Sequence, residues 1–267
     1  MTFKEKYGPI ALVAGASMGL GAAYAHALAA RGLDLVIVAR HKEKLEDTAK
    51  NISSKYKVSV LPIACDLASS DTVEQIVDAT KNMPIHFLVY NAAASYIGPF
   101  MDAPVTQHVE IANVNTVTPL KMVHAFAGKM IENKKGGIVL MSSLAGFQGS
   151  GYLSAYAASK AFNRILAESL WYEWKNKGVD VIACCAGATG TPNYYGTHPK
   201  SIGRFAPKVQ APEDVVEECL QKIGKTPSFV SGSANKFASF LMQHIFSRKM
   251  AINMMGDTTK KMYDIID

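Results

Sequence analysis

IALVAGASMGLGAAYAHALAARG, residues 10–32, carries three kinds of local structure in succession. Residues 10–14 are a short apolar run of the kind that forms a buried strand. Gly15-x-x-x-Gly19-x-Gly21 is a glycine turn, and the alanine-rich pattern after it reads as a helix that ends at Gly32. Glycine in such a turn lets the main chain lie close to a ligand, and the start of a helix offers unpaired N–H groups to a phosphate. Strand, glycine turn and helix in this order predict the opening unit of a dinucleotide-binding fold.

The remaining chain repeats the alternation. Strands are expected at residues 33–39, 58–64, 87–90, 137–142, 179–183 and 229–231, with helices at 43–56, 71–81, 119–132 and 152–177. No internal repeat or low-complexity linker interrupts them. This predicts a single α/β domain over 1–267, a Rossmann-like doubly wound parallel sheet of about seven strands with helices on both faces. Ligands in such sheets bind at the carboxyl ends of the strands. Arg40 follows the second strand, where the adenosine ribose would lie. An acid there would bind ribose hydroxyls, whereas an arginine pairs with a 2′-phosphate, so NADP is expected over NAD. Asp66 ends the third strand and is assigned to the adenine edge, and the small residues after Asn91 allow close approach to the cofactor.

Chemistry is concentrated in SLAGFQGSGYLSAYAASK, residues 143–160. Tyr156 and Lys160 are four apart, on one face of a helix, so the ammonium can favour the ionised phenol. A free phenol titrates near ~10, and bringing it to neutrality takes roughly 4 kcal/mol of preferential phenolate stabilisation. Ser143 closes an apolar run thirteen residues earlier, where its hydroxyl could meet the oxygen of a carbonyl being reduced.

The composition sets the outer limits. The 267 residues are 49% hydrophobic, enough for one full core. The 28 basic and 22 acidic residues give +6 without a continuous basic block, so nucleic-acid binding is not implied. Cys65, Cys184, Cys185 and Cys219 form no C-x-x-C pair and read as free thiols in a reducing compartment, with no metal site expected. The basic start and apolar run of residues 4–30 resemble a secretory leader, but Pro9, three glycines and His26 interrupt it. No stretch reaches the length of a membrane span, and a cytoplasmic location is expected.

Taken together, the glycine turn, Asp66, Asn91-Ala92, Asn115, Ser143 and Tyr156-x-x-x-Lys160 resemble the short-chain dehydrogenase/reductase family over about residues 8–192. The resemblance implies that Tyr156 is the general acid/base, that Lys160 binds the nicotinamide ribose and lowers the tyrosine pKa, and that Ser143 polarises the carbonyl. It also implies that Asn115 holds a water in the proton relay. Cofactor contacts are implied for Gly15, Ser17, Met18, Gly19, Leu20, Gly21, Arg40, Asp66, Leu67, Asn91, Ala92, Tyr156, Lys160, Gly187, Thr189 and Thr191. The chain departs from the family pattern at Ala14, at Tyr90 and Ala93, and at Ala186, where a missing proline makes the nicotinamide-side loop less rigid. Within the family, FKEKYGPIALVAGASMGLG, NVNTVTPLKMVHAF and KIGKTPSFVSGSANK resemble bacterial NADP-dependent hydroxysteroid dehydrogenases of the 7β bile-acid type.

Two further segments bear on the substrate. The loop at about 191–211 offers Tyr194 and Tyr195 as apolar wall and Lys200, Arg204 and Lys208 as anion contacts, or is an ordinary solvated lid. Residues 235–267 read as an amphipathic basic helix, with Phe237, Phe240, Leu241 and Ile245 at helical spacing, followed by a Met-rich one. Packing on its own domain, a subunit contact and a membrane surface all fit that segment. The expected protein is an NADP(H)-dependent oxidoreductase that interconverts a secondary alcohol and a ketone by hydride transfer, foremost on a steroid or bile acid, as a homodimer or homotetramer. Its rivals are a reductase of other lipophilic or fatty-acyl ketones and a non-catalytic dinucleotide-binding regulator.

Overall fold

The computed structural model describes residues 1–201 and 207–266. Its seven strands are β1 (Ile10–Ala14), β2 (Asp34–Ala39), β3 (Val60–Ala64), β4 (Ile85–Tyr90), β5 (Gly136–Ser143), β6 (Val179–Ala186) and β7 (Ser228–Val230). They form one parallel sheet in the order β3-β2-β1-β4-β5-β6-β7. The chain steps outward from β1 to β3 and then crosses back to lay β4 against the other side of β1. That reversal leaves a crevice beyond the carboxyl ends of β1 and β4, where Ala14 lies opposite both Val38 and Tyr90.

The strands are apolar on both faces because helices cover both. The helices are α1 (Phe3–Tyr7), α2 (Gly19–Ala30), α3 (Lys42–Tyr56), α4 (Thr72–Thr80), α5 (Val105–Ala112) and α6 (Thr118–Glu132). They continue with α7 (Ser154–Trp174), α8 (Pro192–Gly196), α9 (Pro212–Lys222), α10 (Ser233–Phe240) and α11 (Arg248–Met262). Val13, Ile37, Val89 and Val139 pack beneath Tyr24 and Leu28 of α2, Leu45 of α3 and Val216 of α9. On the opposite face Leu12, Val36, Leu88 and Leu140 meet Ile76 of α4, Phe126 of α6 and Trp174 of α7.

Several boundaries differ from the sequence reading. β3 begins at Val60 rather than 58 and contains Pro62, which is tolerated because an edge strand pairs on one side only. β4 starts two residues early, at Ile85. β6 runs on to Ala186 because Cys184, Cys185 and Ala186 pair with Met141, Ser142 and Ser143. α7 starts at Ser154, since Tyr152 sits at φ 64, outside the helical region. The amphipathic C-terminal helix is shorter than its periodicity suggests. After Phe240 it widens into a π-helical turn, Leu241–Ile245, and Ser247 then caps α11 by accepting a hydrogen bond from Met250 N–H. Phe237, Phe240 and Ile245 remain exposed, whereas Ala251, Thr259 and Met262 of α11 are buried. No helix among the described residues is long and apolar enough to cross a membrane.

Two glycines in helices make opposite demands. A Cβ on Gly21 would lie 1.8 Å from the Gly15 carbonyl oxygen, whereas one on Gly128, in α6, meets nothing within 4 Å. Gly21→Ala is expected to destabilise the fold by about 1–3 kcal/mol. Gly128→Ala is expected to stabilise it by about 0.5–1 kcal/mol through lost unfolded-state entropy. Thermal melts of the two variants, shifted in opposite directions, check both statements.

Candidate active site

The crevice at the strand ends is a cleft of about 590 Å³, a volume suited to a cofactor with a small molecule beside it. Its floor is built by main chain. Gly15, at φ 81, lets the turn after β1 come so near β4 that an added Cβ would stand 2.7 Å from the Ala92 nitrogen. Asn91 Nδ2 donates to the Gly15 carbonyl at 3.1 Å and holds the two strand ends together. Ser17, Met18, Gly19 and Leu20 line the cleft above this floor, and Gly21 lies behind them. α2 has no side-chain cap at Met18, so its first N–H groups are left to a ligand.

Arg40 and His41 line one end of the cleft beyond β2, with Asp66 and Leu67 beyond β3. Asp66 Oδ1 accepts from Ala68 N–H at 3.0 Å, and the Leu67 carbonyl accepts from Thr118 Oγ1 at 2.8 Å, so both residues also organise their turn. The Tyr90 hydroxyl, at a position where the family pattern has another residue, donates to the Val114 carbonyl at 2.6 Å and anchors the wall.

Ser143, Tyr156 and Lys160 meet at the other end of the cleft, brought there by the end of β5 and the first turns of α7. Lys160 is 3% exposed, its Nζ donates to the Met141 carbonyl at 3.1 Å, and it stands 5.5 Å from the centroid of the Tyr156 ring. Burial pushes the Lys160 ammonium down to about 8. Burial also raises Tyr156, and a hydrogen bond with Ser143 acts the other way. This corrects the expectation that Lys160 draws the phenol below its ordinary value. The ammonium is itself desolvated and turned to a carbonyl, so burial dominates the phenol. Tyr156 therefore keeps its proton at neutral pH and can act as an acid.

Asn115 is also not where a helix-surface asparagine would be. It is fully buried in the π-helical turn Asn113–Val117 and does not line the cleft. Its Oδ1 accepts from Ala94 N–H at 2.8 Å, and its Nδ2 donates to the Ala94 carbonyl and to Ser159 Oγ, each at 2.9 Å. Ser159 Oγ in turn donates to the Tyr156 carbonyl at 2.7 Å. Both amide hydrogens are committed, and the side chain joins the cleft wall to the helix that carries Tyr156.

Gly187, Thr189 and Thr191 line the cleft after β6. In place of a proline at Ala186, main-chain bonds brace this segment. Gly190 N–H donates to the Gln210 carbonyl at 2.9 Å and Gln210 N–H to the Ala188 carbonyl at 3.0 Å, while Asn235 Nδ2 holds Gln210 Oε1 at 2.9 Å. Thr191 caps α8, and Tyr194 and Thr197 follow on the cleft wall. Tyr195 is 59% exposed and absent from the lining, Lys208 is exposed, Lys200 pairs with Asp264, and Arg204 lies outside the described residues.

Tyr263 also lines the cleft, although no local signal in the sequence marked it. α11 delivers it, docking on the segment between Ser143 and Tyr156 through a bond from Arg248 Nη1 to the Phe147 carbonyl at 2.8 Å. The Tyr263 hydroxyl lies 3.2 Å from Thr197 Oγ1, and Lys200 N–H donates to the Met262 carbonyl at 2.9 Å. Glu110 and Val114 are further wall residues that the sequence did not single out.

The buried lysine makes a stability prediction. Below pH ~8 the folded protein bears the full cost of the buried ammonium. Between ~8 and the ordinary lysine value of 10.5 the folded state gives up this proton before the unfolded chain does, so the contribution of the site to stability rises with pH. Relative to Lys160→Met, the wild type should gain on the order of 3 kcal/mol across that window. Paired melts from pH 7 to 10.5 check this, and a flat difference would count against a charged, buried Lys160.

A family model described as short chain dehydrogenase matches residues 9–200. A 7beta-hydroxysteroid dehydrogenase of Clostridium sardiniense is 32% identical over 236 residues, covering 88% of this chain and 90% of that protein. A solved structure described under 7beta-hydroxysteroid dehydrogenase stereoselectivity superposes with a TM-score of 0.90 at 30% identity, covering 96% of this chain and 99% of the other. A short-chain dehydrogenase of Sphingobium yanoikuyae, solved in complex with NADPH, gives a TM-score of 0.76 at 27% identity over 90% of this chain and 97% of its own.

Proposed function

The chain belongs to the short-chain dehydrogenase family, and from that premise we propose that it is an NADP(H)-dependent oxidoreductase interconverting a secondary alcohol and a ketone on a steroid or bile acid. The observation that carries the reading is the convergence of Ser143, Tyr156 and Lys160 on the same cleft as the glycine turn. A dinucleotide fits the residues present. Gly15 and Gly21 keep the floor free of side chains, the uncapped start of α2 faces a pyrophosphate, and Arg40 supplies a cation for a 2′-phosphate. When bound, the nicotinamide supplies or accepts the hydride.

The chain's own residues handle the proton. In the reducing direction the Ser143 hydroxyl orients the substrate carbonyl oxygen and Tyr156 gives it a proton. Lys160 stabilises the phenolate that remains, and Asn115, through Ser159, positions the helix that carries both. The steroid reading rests on the 7beta-hydroxysteroid dehydrogenase relatives and on a wall in which Tyr194, Tyr263 and Leu153 present apolar surface. The free thiols of all four cysteines support a cytoplasmic location. Phe237, Phe240 and Ile245, exposed beside α11, suit a homodimer contact.

NADPH oxidation should be measured against keto bile acids, β-ketoacyl thioesters and small aliphatic ketones. Turnover of keto bile acids is expected, and Tyr156→Phe should lower it at least ~10²-fold with NADPH affinity nearly unchanged. Activity confined to the other ketones would remove the steroid assignment and leave the oxidoreductase.

The C-terminal segment is proposed to close the substrate end of the cleft. Tyr263→Ala should raise the substrate KM roughly five- to tenfold, equivalent to about 1–1.4 kcal/mol of lost aromatic contact, with NADPH binding unaffected. Deleting residues 247–267 should do so more strongly. Unchanged KM in both variants would limit the segment to assembly, which light scattering of the truncated protein would show.

A further inference from the structure

Arg40, the residue proposed to hold the 2′-phosphate, already has a partner. Glu110, on α5, brings Oε1 to 3.8 Å from Arg40 Nη1. Both side chains line the cleft, with 61% of the arginine and 45% of the glutamate exposed. Among the described residues no other carboxylate pairs with this guanidinium, while nearby Lys42 is turned to Glu46 at 3.9 Å. We propose that Glu110 narrows the cofactor preference of the cleft by competing with the 2′-phosphate for Arg40.

The chemistry follows from the charges. An exposed ion pair at this distance is weak and exchanges readily, so the arginine can leave it. A phosphate offers more charge than a carboxylate and three acceptor oxygens to the guanidinium fork, so it wins Arg40. Glu110 then loses its partner and faces a second anion. Both effects oppose NADPH, whereas NADH, without the phosphate, meets neither. Glu110 thus narrows the preference that Arg40 creates, and it is a specificity residue that takes no part in proton transfer.

This inference rests on the NADP(H) reading above, and the test separates the two. NADPH and NADH dissociation constants are measured by fluorescence titration at low ionic strength for wild type, Glu110→Gln, Arg40→Gln and the double variant. Glu110→Gln is isosteric and partly exposed, and a thermal melt is run alongside to check that it folds. It should tighten NADPH roughly two- to fivefold, the range set by exposed charge pairs, and leave NADH unchanged. In the Arg40→Gln background the same substitution should give a clearly smaller gain, since only the repulsion between Glu110 and the phosphate is left. An unchanged or weaker NADPH affinity in Glu110→Gln, an equal shift for NADH, or a gain of the same size without Arg40 would each overturn the competition. Equal wild-type affinities for NADPH and NADH would overturn the cofactor reading beneath it.

Discussion

The structure depends on a main-chain approach at the sheet reversal, where the turn after β1 meets the end of β4. Gly15 and Ala92 are too close for a side chain between them, Gly21 is pressed on the Gly15 carbonyl, and Asn91 bonds that same oxygen. These contacts keep the floor of the cleft bare. They also aim the start of α2 into it, so the packing that joins the halves of the sheet and the site that suits a pyrophosphate are one arrangement.

The opposite end of the cleft is governed by a buried charge. Lys160 gives up solvent for one carbonyl bond and a place near the Tyr156 ring, and its ammonium is weakened to about 8 as a result. Burial is costly for a cation, yet it is what makes an ammonium felt by a neighbouring phenolate, because little water screens it. In the protein as it stands burial also raises Tyr156, so the pair is poised with the proton on the phenol. The line from Ala94 through Asn115 and Ser159 to the Tyr156 carbonyl fixes the helix that presents them.

The end of the cleft proposed to take the substrate is assembled from distant parts of the chain. Gln210 and Asn235 brace the segment after β6, and α11 brings Tyr263 to Thr197 across the loop. Variation in substrate is expected here, where loops and tail make the wall, while the cofactor end is constrained by backbone.

The sequence by itself determined the alternation of strand and helix, the glycine turn and the positions of Ser143, Tyr156 and Lys160. Such signals are local: period, turn chemistry and a four-residue helical spacing are carried by neighbours in the chain. It could not show the sense of the Tyr156 shift, because desolvation depends on everything packed around a group. Nor could it show that Asn115 is buried, since a π-helical turn and its partners Ala94 and Ser159 come from three separate segments. Glu110 beside Arg40 and Tyr263 beside Thr197 were hidden for the same reason: their partners lie 70 and 66 residues away, and only the folded chain brings them within reach.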